Sequence, residues 1–288
     1  MTKKIGVIKD IIRYPVKSMA GESVDKCQLS ELGIPGDRGW AIIDEASKEI
    51  RGAKKLPKLM QCKAAFIEEP FGKNIPHVKI TFPDGTQVDS DAPKVDEKLS
   101  DFLGVKVNLM PRKDPADEEH YRRKQPLDEK AIREMMGRDE SEELPDFDIF
   151  PKEILDEITT YSTPRGTYFD AYPLHILTTS WLAELQKASP DSKFHAERFR
   201  PNFVIDTDEE GLAELAWCGK KIQIGHSAVI LCDIPTVRCS MTAHATDNLP
   251  KDPLVLRTIV KATDQNAGAY ANIVNDGEIT IGDDINIV

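Results

Sequence analysis

Cys239 lies in the run PTVRCSMTA with Arg238 as its immediate neighbour. A cation beside a thiol favours the thiolate, the form that binds metals and acts as a nucleophile. A thiolate is also a soft ligand suited to thiophilic metals, although an unpaired cysteine serves equally as a small core hydrophobe. In ERFRPNFVID, Arg200 offers a planar fork for phosphate or carboxylate, and Asn202 offers both a donor and an acceptor. Pro201 between them stiffens the backbone. A turn in which Arg200 pairs with Glu197 would use the same residues without a ligand. Near the N-terminus, Tyr14-Pro15-Val16-Lys17-Ser18 places an ammonium and a hydroxyl where a strand-like run ends, a combination that can hold an oxyanion. Arg38 in IPGDRGW either reaches a pocket or pairs with Asp37. Asp170 in YFDAYPLHILTT precedes an apolar run and is a candidate acid, base or orienting group.

Other chemistries lack their signatures. None of the six histidines has H-x-x-x-H spacing, and no Walker loop, G-x-G-x-x-G or G-x-S-x-G run occurs. Cys27, Cys62, Cys218, Cys232 and Cys239 are dispersed, odd in number and form no C-x-x-C pair. That pattern fits free thiols in a reducing compartment and offers no iron–sulfur ligand set.

These residues need rigid elements behind them. Ile5–Tyr14, Gly39–Asp44, Val78–Phe82 and Val105–Met110 read as short strands, with Pro83-Asp84-Gly85 as a turn. Pro111–Glu143 contains DPADEEHYRRKQ and GRDESEE; it reads as a solvated connection with a short exposed helix over Asp128–Met136. Beyond it, Leu174–Thr178, Phe203–Asp206, Lys220–Ile224, Ala228–Cys232 and Glu278–Val288 read as strands. Ser180 is placed to cap a helix over WLAELQKA, and Pro253–Ala262 has helical periodicity with proline in its first turn. The expected class is β-rich α+β, with an N-terminal β-barrel-like domain over 1–110, a charged connection over 111–146 and a second β-barrel domain over 147–288. Irregular alternation of elements argues against a doubly wound sheet.

Composition narrows the partners. The chain has 288 residues, 40% of them hydrophobic and 30% charged, which is ordinary for a folded protein large enough to bury a core without disulfides. A net charge of -11 argues against a nucleic-acid partner, which calls for a cationic field, but leaves room for a local basic pocket. No run approaches the roughly 18 apolar residues of a membrane span, and no signal-peptide core is present, so the expected location is cytoplasmic.

The segments YPVKS, GDRGW, DAYPLHILTT, RFRPN, TVRCSMT and LPKDPLVLRT, in that order, resemble MOSC proteins that carry the associated N-terminal β-barrel domain. Among them, the chain is similar to the mitochondrial amidoxime-reducing component and its bacterial stand-alone relatives. The resemblance implies a MOSC β-barrel that holds a molybdopterin-type molybdenum cofactor. Cys239 matches the molybdenum ligand, and Asp170 matches the acidic residue near the metal, with a role in proton delivery. Lys17, Ser18, Arg38, Arg200, Asn202 and Arg238 match positions around the pterin and its phosphate. The implied activity is reduction of small N-hydroxylated molecules. Because no ferredoxin-like segment follows the last strands, the electrons are expected from a separate donor protein. Two other readings use the same residues: a sulfur-transfer module with a Cys239 persulfide, and an anion-binding protein without redox chemistry. The pattern departs from the amidoxime-reducing proteins at Ala171 and Tyr172, where small hydroxyl residues follow the aspartate, and at Val237, where a small polar residue precedes the Arg-Cys pair.

Overall fold

The computed structural model describes residues 2–288. The N-terminal half contains β1 (Lys3–Arg13), β2 (Glu22–Val24), β3 (Lys26–Leu29), β4 (Trp40–Asp44), β5 (Ile50–Arg51), β6 (Lys63–Phe66), β7 (Val78–Thr81), β8 (Gln87–Asp89), α1 (Val95–Leu103) and β9 (Val107–Pro111). Strands β5-β4-β9 and β6-β7-β8 form two antiparallel three-stranded sheets. Their inward positions, including Ile42, Val78, Ile80 and Leu109, join Leu99 of α1 in one buried cluster. The alternation that marks these runs as strands is therefore the alternation that fills this core.

The connection holds α2 (Glu118–Tyr121), α3 (Glu129–Met136) and α4 (Lys152–Thr160). Asp128 caps α3, accepting the Ala131 N–H at 2.8 Å, and Gly137 ends the helix with φ +65°. The helix is where the sequence puts it, but the stretch is more than a solvated link. Met136 is buried, and Ile132 and Met135 face a cavity. The apolar residues here are few and scattered among charges, so composition averages hide the face they make once folded.

The C-terminal half contains β10 (Leu174–Thr178), α5 (Thr179–Ala188), α6 (Ala196–Phe199), β11 (Phe203–Asp206), β12 (Lys220–Ile224), β13 (Ala228–Val237), α7 (Pro253–Thr263), β14 (Asn266–Asn275), β15 (Gly277–Thr280) and β16 (Asp284–Ile287). Helix α7 begins as expected, with Pro253 in its first turn and Asp252 as cap. Helix α5 is capped by Thr178 rather than Ser180: the Thr178 hydroxyl accepts the Trp181 N–H at 3.1 Å. Strand β14 is absent from the sequence expectations, because its run NAGAYA is small-residue-rich and carries little β-propensity. Ala267, Ala269 and Ala271 are nonetheless fully buried, each a place where neighbouring elements come close.

One sheet runs β11-β10-β14-β13-β12-β16-β1-β2, and a further pairing of β1 with β11 closes seven of these strands into a barrel. Strand β1 is thus the closing stave, with Ile8 opposite Ile205 and Ile11 opposite Phe203. Register shifts near Gly6 and between Ile8 and Asp10 break its simple alternation. The result is Ile5, Ile8 and Ile11 together in the barrel core. The first strand of the chain thus belongs to the sheet of the last. Among the described residues, no helix is long and apolar enough to cross a membrane.

Candidate functional site

A cavity of about 340 Å³ opens between the barrel, the N-terminal half and the connection. Its charged lining consists of Arg38, Lys54, Arg123, Arg200, Arg238 and Asp170, five cations against one carboxylate. The same cavity takes in Cys239, Asn202, His175, Tyr172 and Tyr270. In a chain of net charge -11, this is a local cationic field built for an anion.

Backbone conformation aims three of these residues or their neighbours. Ser18, Arg38 and Arg200 all have positive φ, at 68°, 48° and 56°. Non-glycine residues persist there only where surrounding contacts over-determine them, and such strain gathers at functional sites. Arg200 follows the short helix α6 as its left-handed cap. Its guanidinium lies 4.2 Å from the centroid of the Tyr14 ring, and that of Arg38 lies 4.7 Å from the same ring. Tyr14 is a shared platform for two cations; its hydroxyl donates to Pro201 O at 2.9 Å, tying the YPVKS and RPN segments together. Arg38 also pairs with Asp37, so both sequence alternatives for it hold at once. Asn202 completes the clamp. Its Nδ2 donates to Asp37 Oδ2 at 3.0 Å and to Ile12 O at 3.3 Å; its Oδ1 accepts from the His175 N–H at 3.1 Å and from Arg38 at 3.4 Å. With its amide fully engaged, Asn202 positions Arg38 rather than offering a free group.

Lys17 and Ser18 have similar supporting work. Lys17 Nζ donates to Tyr168 O and Asp170 Oδ1, each at 2.8 Å, and to Phe169 O at 3.4 Å, which uses all three of its protons. Ser18 Oγ accepts the Ala53 N–H at 2.9 Å, at the edge of an adjoining space of about 150 Å³. Asp170 lines both spaces, its side chain 49% exposed to them. Desolvation pushes the Asp170 carboxyl up, but Lys17, Lys54 and Arg38 outweigh it and hold the group well below the usual carboxylate range. Burial lowers the Lys17 ammonium, and Asp170 offsets part of that.

Strand β13 delivers the last pair. A register shift between Pro235 and Val237 ends the ladder just before Arg238 and Cys239, a device that re-aims side chains beside sites. Arg238 donates from Nη2 to Phe199 O at 2.7 Å and from Nη1 to His175 Nε2 at 3.4 Å. Cys239 is a free, half-buried thiol at the start of the turn Ser240–Ala243. Two buried guanidinium nitrogens, Arg200 Nη2 and Arg238 Nε, have no hydrogen-bond partner. Buried polar groups are normally satisfied, so these two point to an anionic occupant. Burial lowers Arg200 to about 10, which leaves it a cation at neutral pH. Burial, then the Arg238 charge, holds His175 well below the ordinary histidine range, so it is neutral and can accept from Arg238.

Residues 163–286 match the family model of the MOSC domain, and residues 5–118 match that of the MOSC N-terminal beta barrel domain. The chain is a MOSC protein with its associated N-terminal barrel. Among solved structures, it is similar over 100% of its length to the YUAD protein from Bacillus subtilis, covering 98% of that chain at 13% identity and a TM-score of 0.44. It is similar over 41% of its length to YiiM from Escherichia coli, covering 54% of that chain at 16% identity and a TM-score of 0.32. YiiM from Geobacillus stearothermophilus also shares 41% of this chain, covering 54% of its own at 15% identity and a TM-score of 0.30. No curated protein matches the chain.

The cavity of this MOSC protein brings Arg38, Asp170, Arg200, Asn202, Arg238 and Cys239 together from separate stretches of sequence. Lys54 and Arg123 join the cationic ring without any motif; in RGAKK and HYRRKQ they read as ordinary solvated charge. Tyr270 escaped notice with its strand. It stacks on Tyr172, with ring centroids 5.0 Å apart and planes at 12°, so the departure at Tyr172 fills the cavity edge with an aromatic pair where a small hydroxyl residue would leave room.

Proposed function

We propose that this protein holds a molybdopterin-type molybdenum cofactor in the cationic cavity and reduces small N-hydroxylated compounds with electrons from a separate donor protein. One observation carries the reading: a cavity lined by five cations and a single carboxylate also holds a free thiol, and two of those cations, Arg200 and Arg238, each have a buried, partnerless guanidinium nitrogen. That donor set fits an organic anion bearing a thiophilic metal. Cys239 would ligate the metal, and Arg38, Arg200 and Arg238 would hold the anionic pterin. Among the described residues, no group of three or more His, Cys, Asp or Glu converges on a metal position; Cys239 would be the thiolate the chain offers to a metal carried by an organic group. When bound, the cofactor supplies the two-electron change by which a substrate N–OH group, two protons and two electrons become an N–H group and water.

The residues around it bind and orient. Asp170, held ionised at neutral pH by Lys17, Lys54 and Arg38, would assist proton delivery as an acceptor and relay, its free oxygen taking a hydrogen bond from a substrate N–H or O–H. Lys17 fixes that carboxylate through Oδ1. The protons reach the site from solvent through the cavity mouth. Asn202 and Tyr14 set the guanidiniums before anything binds, so little ordering remains to be done on binding.

The reading is tested by elemental analysis for molybdenum, with pterin fluorescence after oxidation, on wild type and Cys239→Ser from a cofactor-producing host. Near-stoichiometric molybdenum and pterin in wild type, with molybdenum lost in the variant, is the expected outcome. Well-folded wild type lacking both overturns the proposal, and a persulfide on Cys239 in such protein moves the assignment to sulfur transfer.

A further inference from the structure

The connection behaves unlike the rest of the fold. Residues 119–162 lie outside both family matches. Ile132, Met135, Phe147, Phe150, Leu155 and Ile158 all come from this stretch, and all line the cavity, with Arg123 the one cation that the stretch adds to it. None of the six belongs to any of the protein's buried hydrophobic clusters. Helix α4 is amphipathic, with Ile154, Leu155 and Ile158 on one side, yet it buries no residue. An apolar helix face normally meets a core; this one meets a void.

Tyr121 and Tyr161 anchor the two ends of the segment in a small buried cluster with Tyr168, and polar contacts hold the stretch between them. Gln265 Nε2 donates to Met136 O and to Arg238 O, each at 2.8 Å, linking the end of α3 to the backbone beside Cys239. Arg138 Nε donates to Gln265 Oε1 at 2.6 Å, and Arg257 of α7 pairs with Glu142 at 2.5 Å. Within the segment, Arg123 braces α4 by donating to Ile158 O at 3.0 and 3.2 Å. Anchored from its edges, the segment keeps an apolar surface facing a space that its own side chains do not fill. Such a surface is stabilised when an apolar body covers it and takes it out of water.

We infer that residues 119–162 form a substrate-selecting roof, which takes the apolar alkyl or aryl body of a molecule whose polar head lies toward Lys54 and Asp170. The inference rests on the function proposed above for the nature of the head, but the roof itself acts on any apolar anion of the right size. Selection lies within one cavity: Lys54 and Asp170 for the head, and the thioether, phenyl and branched aliphatic groups of the roof for the body.

The test uses two readouts. The first is saturable fluorescence enhancement of 1-anilinonaphthalene-8-sulfonate, an aryl body with an anionic head, on the purified protein with its molybdenum content recorded. Leu155→Lys and, separately, Phe150→Ala should weaken this binding tenfold or more while the melting transition persists, since α4 packs no core. The second is the ratio of kcat/KM for benzamidoxime to that for hydroxylamine in molybdenum-loaded protein, which should fall at least tenfold in Leu155→Lys. Unchanged probe affinity in both variants, or an unchanged substrate ratio, overturns the roof. Failure of the cofactor reading is seen separately, as missing molybdenum in protein that still binds the probe.

Discussion

His175 shows how one side chain in this site is tuned by its surroundings. It is buried between the Ala267 carbonyl, 3.3 Å away, and the Arg238 guanidinium, 3.4 Å away, and desolvation followed by the Arg238 charge depresses its pKa. A histidine depressed in the folded state contributes its full stability above the unfolded value of about 6.5 and loses it as pH falls toward the folded value. Below about pH 6.5 the slope from this group is about 1.4 kcal/mol per pH unit. Glu214, whose carboxyl is pushed up to about 7 by burial, tilts stability the other way, losing it as pH rises from its unfolded value toward 7. Urea unfolding of wild type and His175→Gln between about pH 5 and pH 8 isolates the histidine. Wild type should lose stability more steeply than the variant on the acid side. Equal slopes would show that His175 titrates normally.

Strand β14 makes that histidine's position possible. A Cβ at Gly268, where φ is +85°, would stand 2.1 Å from His175 Nε2 and 2.6 Å from Ile176 O. Backbone conformation and close approach both demand glycine. Gly268→Ala should cost roughly 2–4 kcal/mol and push His175 toward Arg238. A loss below about 0.5 kcal/mol in urea unfolding, the level of an ordinary surface change, would contradict this. Strand β13 and helix α6 work with β14 at the same scale. Each ends within a residue or two of a site group, so that Arg238 and Arg200 are carried on element termini rather than on free loops.

Closure of the barrel is a property of the whole chain. Strands β11 and β16 lie more than seventy residues apart in sequence, and both pair with β1. A fragment spanning 147–288 would leave both of those edges open, and unpaired edges of this kind aggregate or fail to hold register. That fragment should show no cooperative thermal transition by circular dichroism. Fusing residues 1–30 to its start through a flexible linker should restore one, because β1 and β3 then return to their partners β11, β16 and β15. A cooperative transition in the bare fragment would show that β1 is dispensable.

Much of this protein is determined locally and is therefore legible in the sequence. The alternation of Val78–Thr81, the proline-led helix at Pro253 and the capped helix after Asp128 each depend on neighbours a few residues away. The ordered motifs around Lys17, Arg38, Asp170, Arg200 and Cys239 likewise name the family without coordinates. Other features are decided only when distant segments meet. Tyr14 becomes a platform because Arg38 and Arg200 both reach its ring. Lys17 and Asn202 spend donors on Asp170 and Asp37, residues more than a hundred and fifty positions away, which no local motif records. β14 is a strand because alanines are what fit between packed neighbours there, which no propensity records. The charged connection becomes an apolar roof because tertiary anchoring turns six scattered side chains toward one void. Local preference and motif order act through the chain's own neighbours; hydrogen-bond consumption, close approach and cavity lining depend on which remote segments the fold brings into contact.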